Sequence, residues 1–179
     1  MMEEGLISLF LIPVMTILGS EVKFRLVSSA FQDGKPIPTK YASSYVPGGK
    51  NISLPLSWGG TPKETKSFAI TIVDLHPVAN NWVHWLAIGI PHGAKSLAEG
   101  ASGKHMSAGS KEFYNSFGDP GYGGPGPPKG SGPHKYEMTI YALCVDTLSL
   151  TANASLDAFK KAIDGKVIAT AKVVGVYER

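Results

Sequence analysis

Gly118-Asp-Pro-Gly-Tyr-Gly-Gly-Pro-Gly-Pro-Pro-Lys-Gly-Ser-Gly-Pro-His-Lys-Tyr136 runs straight into Glu137-Met-Thr-Ile-Tyr-Ala-Leu-Cys-Val145. The change in composition near Tyr136 separates two kinds of backbone. Glycine loses the most conformational freedom on ordering and proline has no amide to donate, so the first stretch can form neither a helix nor a central strand. It is a loop. Pro120, Pro125, Pro127, Pro128 and Pro133 stiffen it into a shape able to present backbone amides to a ligand. The second stretch, Tyr136 to Val145, is rich in β-branched and aromatic residues and reads as a strand.

Working outward, Phe68 to Asp74 and Val83 to Ile90 share that strand character and are bounded by turn residues. Val22 to Val27 alternates Val22, Phe24 and Leu26 with Lys23 and Arg25, the period of a half-buried strand. Val167 to Tyr177 supplies a last strand. One helix is expected before it, capped by Ser155, with Leu156, Phe159 and Ile163 on one face and Gly165 as its stop. Many short strands and one helix predict a mainly β fold: an antiparallel Greek-key β-sandwich with a short C-terminal helix and few other helices.

Side chains alternate along a strand, so Asp74 ends the apolar face of Phe68, Ile70 and Ile72. By the same count His84 shares a face with Leu86, Ile88 and Ile90, and the short Leu75 to Val83 connection brings Asp74 and His84 together at one end of the core. His134 and Tyr136 share parity with Met138 and Ile140, so they too begin an apolar face. Asp, His, His and Tyr at the rim of a core suit an anion, because imidazole and phenol donate hydrogen bonds. Asp74 can accept from one imidazole, setting its tautomer and biasing it toward the charged form. The loop glycines allow backbone amides to approach a phosphate closely.

Gly121-Tyr-Gly-Gly-Pro-Gly-Pro-Pro-Lys-Gly130, followed by His134-Lys135-Tyr136, resembles the second signature of the phosphatidylethanolamine-binding protein family, which includes the Raf kinase inhibitor proteins. The usual form is Gly-Tyr-x-Gly-Pro-Cys-Pro-Pro with His-Arg-Tyr, so Gly126 stands for the cysteine and Lys135 for the arginine. Ser29-Ala30-Phe31, Asp33-Gly34, Ile37-Pro38, Pro55-Leu56-Ser57-Trp58, His84-Trp85 and Gly175-Val176-Tyr177-Glu178-Arg179 agree with the compact bacterial and archaeal branch. In the first signature the usual Asp-Pro-Asp-Ala-Pro becomes Asp74-Leu75-His76-Pro77, with His76 in place of the second aspartate.

The resemblance implies a non-enzymatic binding protein with a pocket for phosphate-bearing or carboxylate head groups, phosphorylethanolamine among them, regulating a protein kinase or protease. Asp74, His84, His134 and Tyr136 match the pocket positions of that family; His76, Gly124 and Pro125 are added as candidate ligand-binding residues, and no cofactor or metal is expected. Compact members are often dimers, which makes a homodimer an expectation. Two alternatives stand beside this reading: an inhibitor module acting on a kinase or protease through its surface, and a metal-assisted hydrolase. The second lacks a strand-to-helix nucleophile elbow and a His-Glu-x-x-His motif. Gly121, Gly123 and Gly126 have dinucleotide spacing, but Pro127-Pro128 stands where that motif's helix would begin.

With 179 residues, 43% of them hydrophobic and 17% charged, the chain can bury one globular core. Its +3 net charge is carried by scattered lysines, so no nucleic-acid partner is expected. The single Cys144 excludes an internal disulfide and, in the run Tyr141 to Val145, reads as buried packing. Leu6 to Leu18 is mostly apolar but too short to span a bilayer, and close to the length of a signal-peptide core. Glu3 and Glu4 stand where a signal carries positive charge, and Leu18-Gly19-Ser20 is a poor cleavage site. The chain therefore divides into an apolar extension, 1–20, and a domain, 21–179. A cytoplasmic location is expected, with export or membrane anchoring if residues 6–18 act as a signal.

Overall fold

Ser67-Phe-Ala-Ile-Thr-Ile-Val-Asp74 is buried along its whole length, which a strand achieves only when both of its faces are covered. The computed structural model describes residues 23–179; Val22 and the apolar extension lie outside the described residues. The strands are β1 (Arg25–Val27), β2 (Leu56–Gly59), β3 (Ser67–Asp74), β4 (Trp82–Pro91), β5 (Ser96–Leu97), β6 (Lys111–Glu112) and β7 (His134–Leu143). Helix α1 (Leu156–Ile163) and β8 (Val167–Tyr177) follow. Two antiparallel sheets result, one in the order β1-β2-β5 and one in the order β6-β4-β3-β7-β8.

One face of β3 packs against the smaller sheet. Phe68 lies between Phe24 and Trp58, with ring centroids 6.2 and 5.4 Å away, and Ile70, Ile72, Met138 and Ile140 continue that core. The other face packs against α1, where Ala69, Leu86, Ile88 and Phe113 meet Phe159 and Ile163. The helix has the expected bounds. Ser155 Oγ accepts the Ala158 amide at 3.1 Å, and Gly165 takes a positive φ of 67° just beyond the last turn. Phe24 and Leu26 are buried while Lys23, Arg25 and Val27 are exposed, as the alternation in the sequence requires.

Two sequence expectations fail here. Cys144 is exposed, because β7 ends at Leu143 and the chain turns away before the cysteine. His84 does not share a face with Leu86, Ile88 and Ile90. Between Ile72 and Val73 the partner on β4 jumps from Trp85 to Val83, so His84 is the extra residue of a β-bulge. A second shift, between Phe68 and Ile70, returns Ile90 to the sheet-facing core while Leu86 and Ile88 stay against the helix. Simple alternation holds only while the ladder is unbroken. No helix among the described residues is long and apolar enough to cross a membrane.

Candidate functional site

Asp74 is the last residue of β3 and pairs with Tyr136 on one side and Trp82 on the other, so the ends of three strands meet there. They close a cavity of about 320 Å³ whose wall includes Asp74, His84, His134 and Tyr136. A more open cleft of about 640 Å³ at the start of α1, between Asn81, Tyr114 and Lys160, contains none of these four groups. The smaller cavity concentrates the chemistry, and the polar end of it is built from buried side chains.

The Asp74 carboxylate accepts from His134 Nδ1 at 2.6 Å through one oxygen and from the His76 amide at 2.9 Å through the other. The imidazole that Asp74 orients is therefore His134. The far nitrogen of His134 lies 2.9 Å from Ser131 Oγ, and that hydroxyl donates to the Pro128 carbonyl at 2.7 Å. His76 stacks flat on His134, with ring centroids 3.9 Å apart and planes 14° from parallel, and its Nδ1 accepts the Val78 amide. His76 thus covers a face of His134 and starts the short turn Pro77–Ala79; it does not line the cavity.

His84 is held differently. Its Nδ1 is 2.6 Å from the Gly123 carbonyl, and the Gly123 amide donates back to the His84 carbonyl at 2.8 Å, so the glycine loop and the β4 bulge are laced together. Desolvation pushes the His84 imidazole down to about 4, against the opposing pull of the Gly123 carbonyl and the Asp74 charge. The charged-imidazole bias expected from the sequence is reversed at this position, because burial outweighs a carboxylate that is already bonded elsewhere. Tyr136 is fully buried, and its hydroxyl, though close to the Asp74 carboxylate, meets no partner in good hydrogen-bond geometry among the described residues. Burial, followed by the neighbouring Asp74 charge, holds that phenol well above the ordinary tyrosine range.

The loop's amides serve a purpose the sequence did not reveal. Those of Gly121, Tyr122, Gly123 and Gly124 donate to Phe113 O, Ser102 Oγ, His84 O and Asn51 Oδ1 respectively. Four amides expected to face a ligand instead tie the loop to the fold. Gly124 and Pro125 stand behind the cavity wall. A Cβ on Gly124 would run into the Tyr41 carbonyl, and the Pro125 carbonyl accepts the Ser43 amide. The loop's contribution to the wall is Gly126, Pro127 and Pro128. Tyr45 donates to the Gly126 carbonyl at 2.7 Å, in space that a side chain at 126 would occupy.

Around the mouth the surface becomes apolar: Tyr45, Val78, Trp82 and Phe117 line the opening and are 38 to 63% exposed. Phe117 meets Trp82, His84 and Tyr45 edge-on at 5.3, 5.5 and 6.3 Å. The turn that presents it is pinned by buried Asn115, whose Oδ1 accepts the Phe117 and Asp119 amides. Sequence reasoning missed Tyr45, Phe117 and Ser131. Only Ser131 left a signal, two residues into the loop's last Gly-Ser-Gly stretch.

The sequence profile described as phosphatidylethanolamine-binding protein matches residues 27–178. A UPF0098 protein of Methanothermobacter thermautotrophicus is 39% identical over 156 residues, covering 86% of this chain and 98% of the relative. A UPF0098 protein of Aquifex aeolicus is 35% identical over 152 residues, 85% of this chain and 86% of its own. The crystal structure of Escherichia coli YbcL, described as a new member of the mammalian PEBP family, superposes with a TM-score of 0.81 at 33% identity, covering 87% of this chain and 98% of that one. Signature loop, paired sheets and matched relatives agree: the chain belongs to the phosphatidylethanolamine-binding protein family.

Proposed function

We propose that this is a binding protein whose cavity takes the head group of a small oxyanion, phosphate-bearing or carboxylate, without transforming it. The supporting observation is the Tyr136 hydroxyl, a buried donor with no partner among the described residues, at the polar end of a cavity walled by two buried histidines. A buried donor left unmade costs more than a hydrogen bond normally returns, so an acceptor arriving there is favoured. Asp74 and His134 spend their polar atoms on each other, on His76 and on Ser131, which suits holding a shape better than moving protons. Among the described residues no group of three His, Cys, Asp or Glu side chains is arranged to hold a metal ion.

Isothermal titration with phosphate and phosphorylethanolamine tests this reading. Tyr136→Phe removes only the hydroxyl and should weaken binding about tenfold, the scale of one hydrogen bond to a charged acceptor. Unchanged affinity in that variant, or no binding to the wild-type protein, sinks the proposal.

A second reading is favoured by the exposed rim of Tyr45, Val78, Trp82 and Phe117, since clustered apolar surface marks contact with another molecule. On it, the protein restrains a kinase or protease through that rim, and the cavity regulates the contact. Rim substitutions that abolish inhibition while leaving anion affinity intact would favour the second reading over the first.

A further inference from the structure

We infer that the cavity reads the proton on its ligand: it prefers an oxyacid that still carries a hydroxyl, such as a phosphate monoester in its monoanionic form, over a fully ionised anion, and His84 is the residue that discriminates. The inference rests on the oxyanion reading above and adds a ligand class to it.

The Gly123 carbonyl 2.6 Å from His84 Nδ1 has no proton to offer, so Nδ1 carries the hydrogen and donates. Nε2 is then the ring's remaining polar atom. Whether it also carries a proton depends on a bonded counter-charge, and the nearby Asp74 carboxylate bonds His76 and His134 but makes no hydrogen bond to this ring. A ring only 3% exposed, bonded to a neutral carbonyl, keeps one proton. The depressed His84 pKa, about 4, agrees with that reading of the bonds.

A neutral His84 therefore offers the cavity a lone pair. Its ring stands 5.0 Å from the Tyr136 ring, centroid to centroid, and Tyr136 brings an unpartnered hydroxyl that can donate. An acceptor and a donor in the wall of one cavity match a group that has both an O–H and a bare oxygen. A protonated phosphate has both. Sulfate has oxygens alone, so it would satisfy Tyr136 while setting its charge against the His84 lone pair. Buried sites built to bond a substrate proton reject analogues lacking it far more strongly than they reject a change of size.

The other ionisable groups around His84 are Asp74 on β3, His134 and Tyr136 on β7, His76 stacked on His134, and Tyr45, whose ring has the Arg179 guanidinium 5.5 Å from its centre. Arg179, and any histidine that charges at low pH, would favour every anion alike. The test must hold ligand charge constant while removing the ligand proton.

Calorimetric titration of the full chain with methyl phosphate, dimethyl phosphate and sulfate at about pH 5 and about pH 8 does so. Methyl phosphate is a protonated monoanion below its second ionisation near 6 and a dianion above it; dimethyl phosphate is a monoanion with no proton; sulfate is a dianion throughout. Methyl phosphate should bind at least about tenfold tighter than either of the others at the lower pH, and lose that advantage at the higher. His84→Gln, whose amide can donate where Nε2 accepts, should shrink the preference over sulfate to less than about threefold. Dimethyl phosphate binding as tightly as methyl phosphate at the lower pH, or sulfate gaining in parallel with it, overturns the inference because charge alone is then being read, while the oxyanion proposal survives. No binding by any of the three overturns both. The wild-type ligand series decides the matter even if the glutamine variant fails to fold.

Discussion

His84 and His134 are almost equally buried, at 3% and 1% exposure, on the two strands that flank β3 and in the wall of one cavity, yet the protein holds them in opposite ways. His134 has a carboxylate on one nitrogen, a serine hydroxyl on the other and a second imidazole against its face. His84 has one main-chain carbonyl and the edges of aromatic rings. Burial alone penalises any charge; what differs is the partner. A carboxylate brings a formal counter-charge, whereas a carbonyl fixes which nitrogen carries the proton and offers little to offset ionisation. The cavity gains a rigid, fully bonded imidazole beside one that keeps a lone pair to present.

The largest effect should come from cutting the first arrangement. Asp74→Ala leaves His134 Nδ1 and the His76 amide without their acceptor, and breaking a buried pair from one side costs roughly 3 to 5 kcal/mol. Urea denaturation measures it. A loss under about 1 kcal/mol would mean that the carboxylate is not what holds His134 in place.

The second arrangement can be broken by acid. With His84 at about 4 in the folded protein and 6.5 as its ordinary value, the unfolded chain takes up this proton first as pH falls. Stability from neutral His84 is therefore complete above the ordinary value and is lost progressively between there and about pH 4, amounting to about 3 kcal/mol at most. Denaturation midpoints across that window should fall more steeply for the wild type than for His84→Asn. Parallel slopes would show that His84 is not the group resisting protonation.

Ser131→Ala should have the smallest effect and sharpens the comparison most finely. It removes the contact on the far nitrogen of His134 without touching His84, at a cost of about 1 kcal/mol for one hydrogen bond. The His84-linked acid slope should remain as in the wild type. If the slope changes as well, the two imidazoles are coupled and cannot be treated as separate halves of the site.

Much of this architecture was legible because local periodicity carries it. The strand Val167–Tyr177 and the capped helix after Ser155 have the bounds that alternation and capping chemistry dictate, since both depend on residues a few positions apart. The short strands Leu56–Gly59, Ser96–Leu97 and Lys111–Glu112 escaped pattern reading, the last two being only two residues long and defined by their partners. The same division runs through the site. Asp74, His134 and Tyr136 fall on the core-facing side by counting, whereas His84 reaches the cavity only because the ladder slips by one residue against β3.

By itself, then, the sequence determined a glycine-proline loop, the longer strands of a β-sandwich, one helix and a small set of acidic, imidazole and phenolic side chains at strand ends. Those follow from backbone sterics and from periods of 2 and 3.6, which act along the chain. Tertiary structure alone decided the pairings: which histidine takes the carboxylate, that the loop's amides hold the fold, and that Tyr45 and Phe117 converge on one mouth. Hydrogen bonds and burial join residues far apart in the chain, Asp74 to His134 and Tyr45 to Gly126 among them, so no spacing within a segment encodes them.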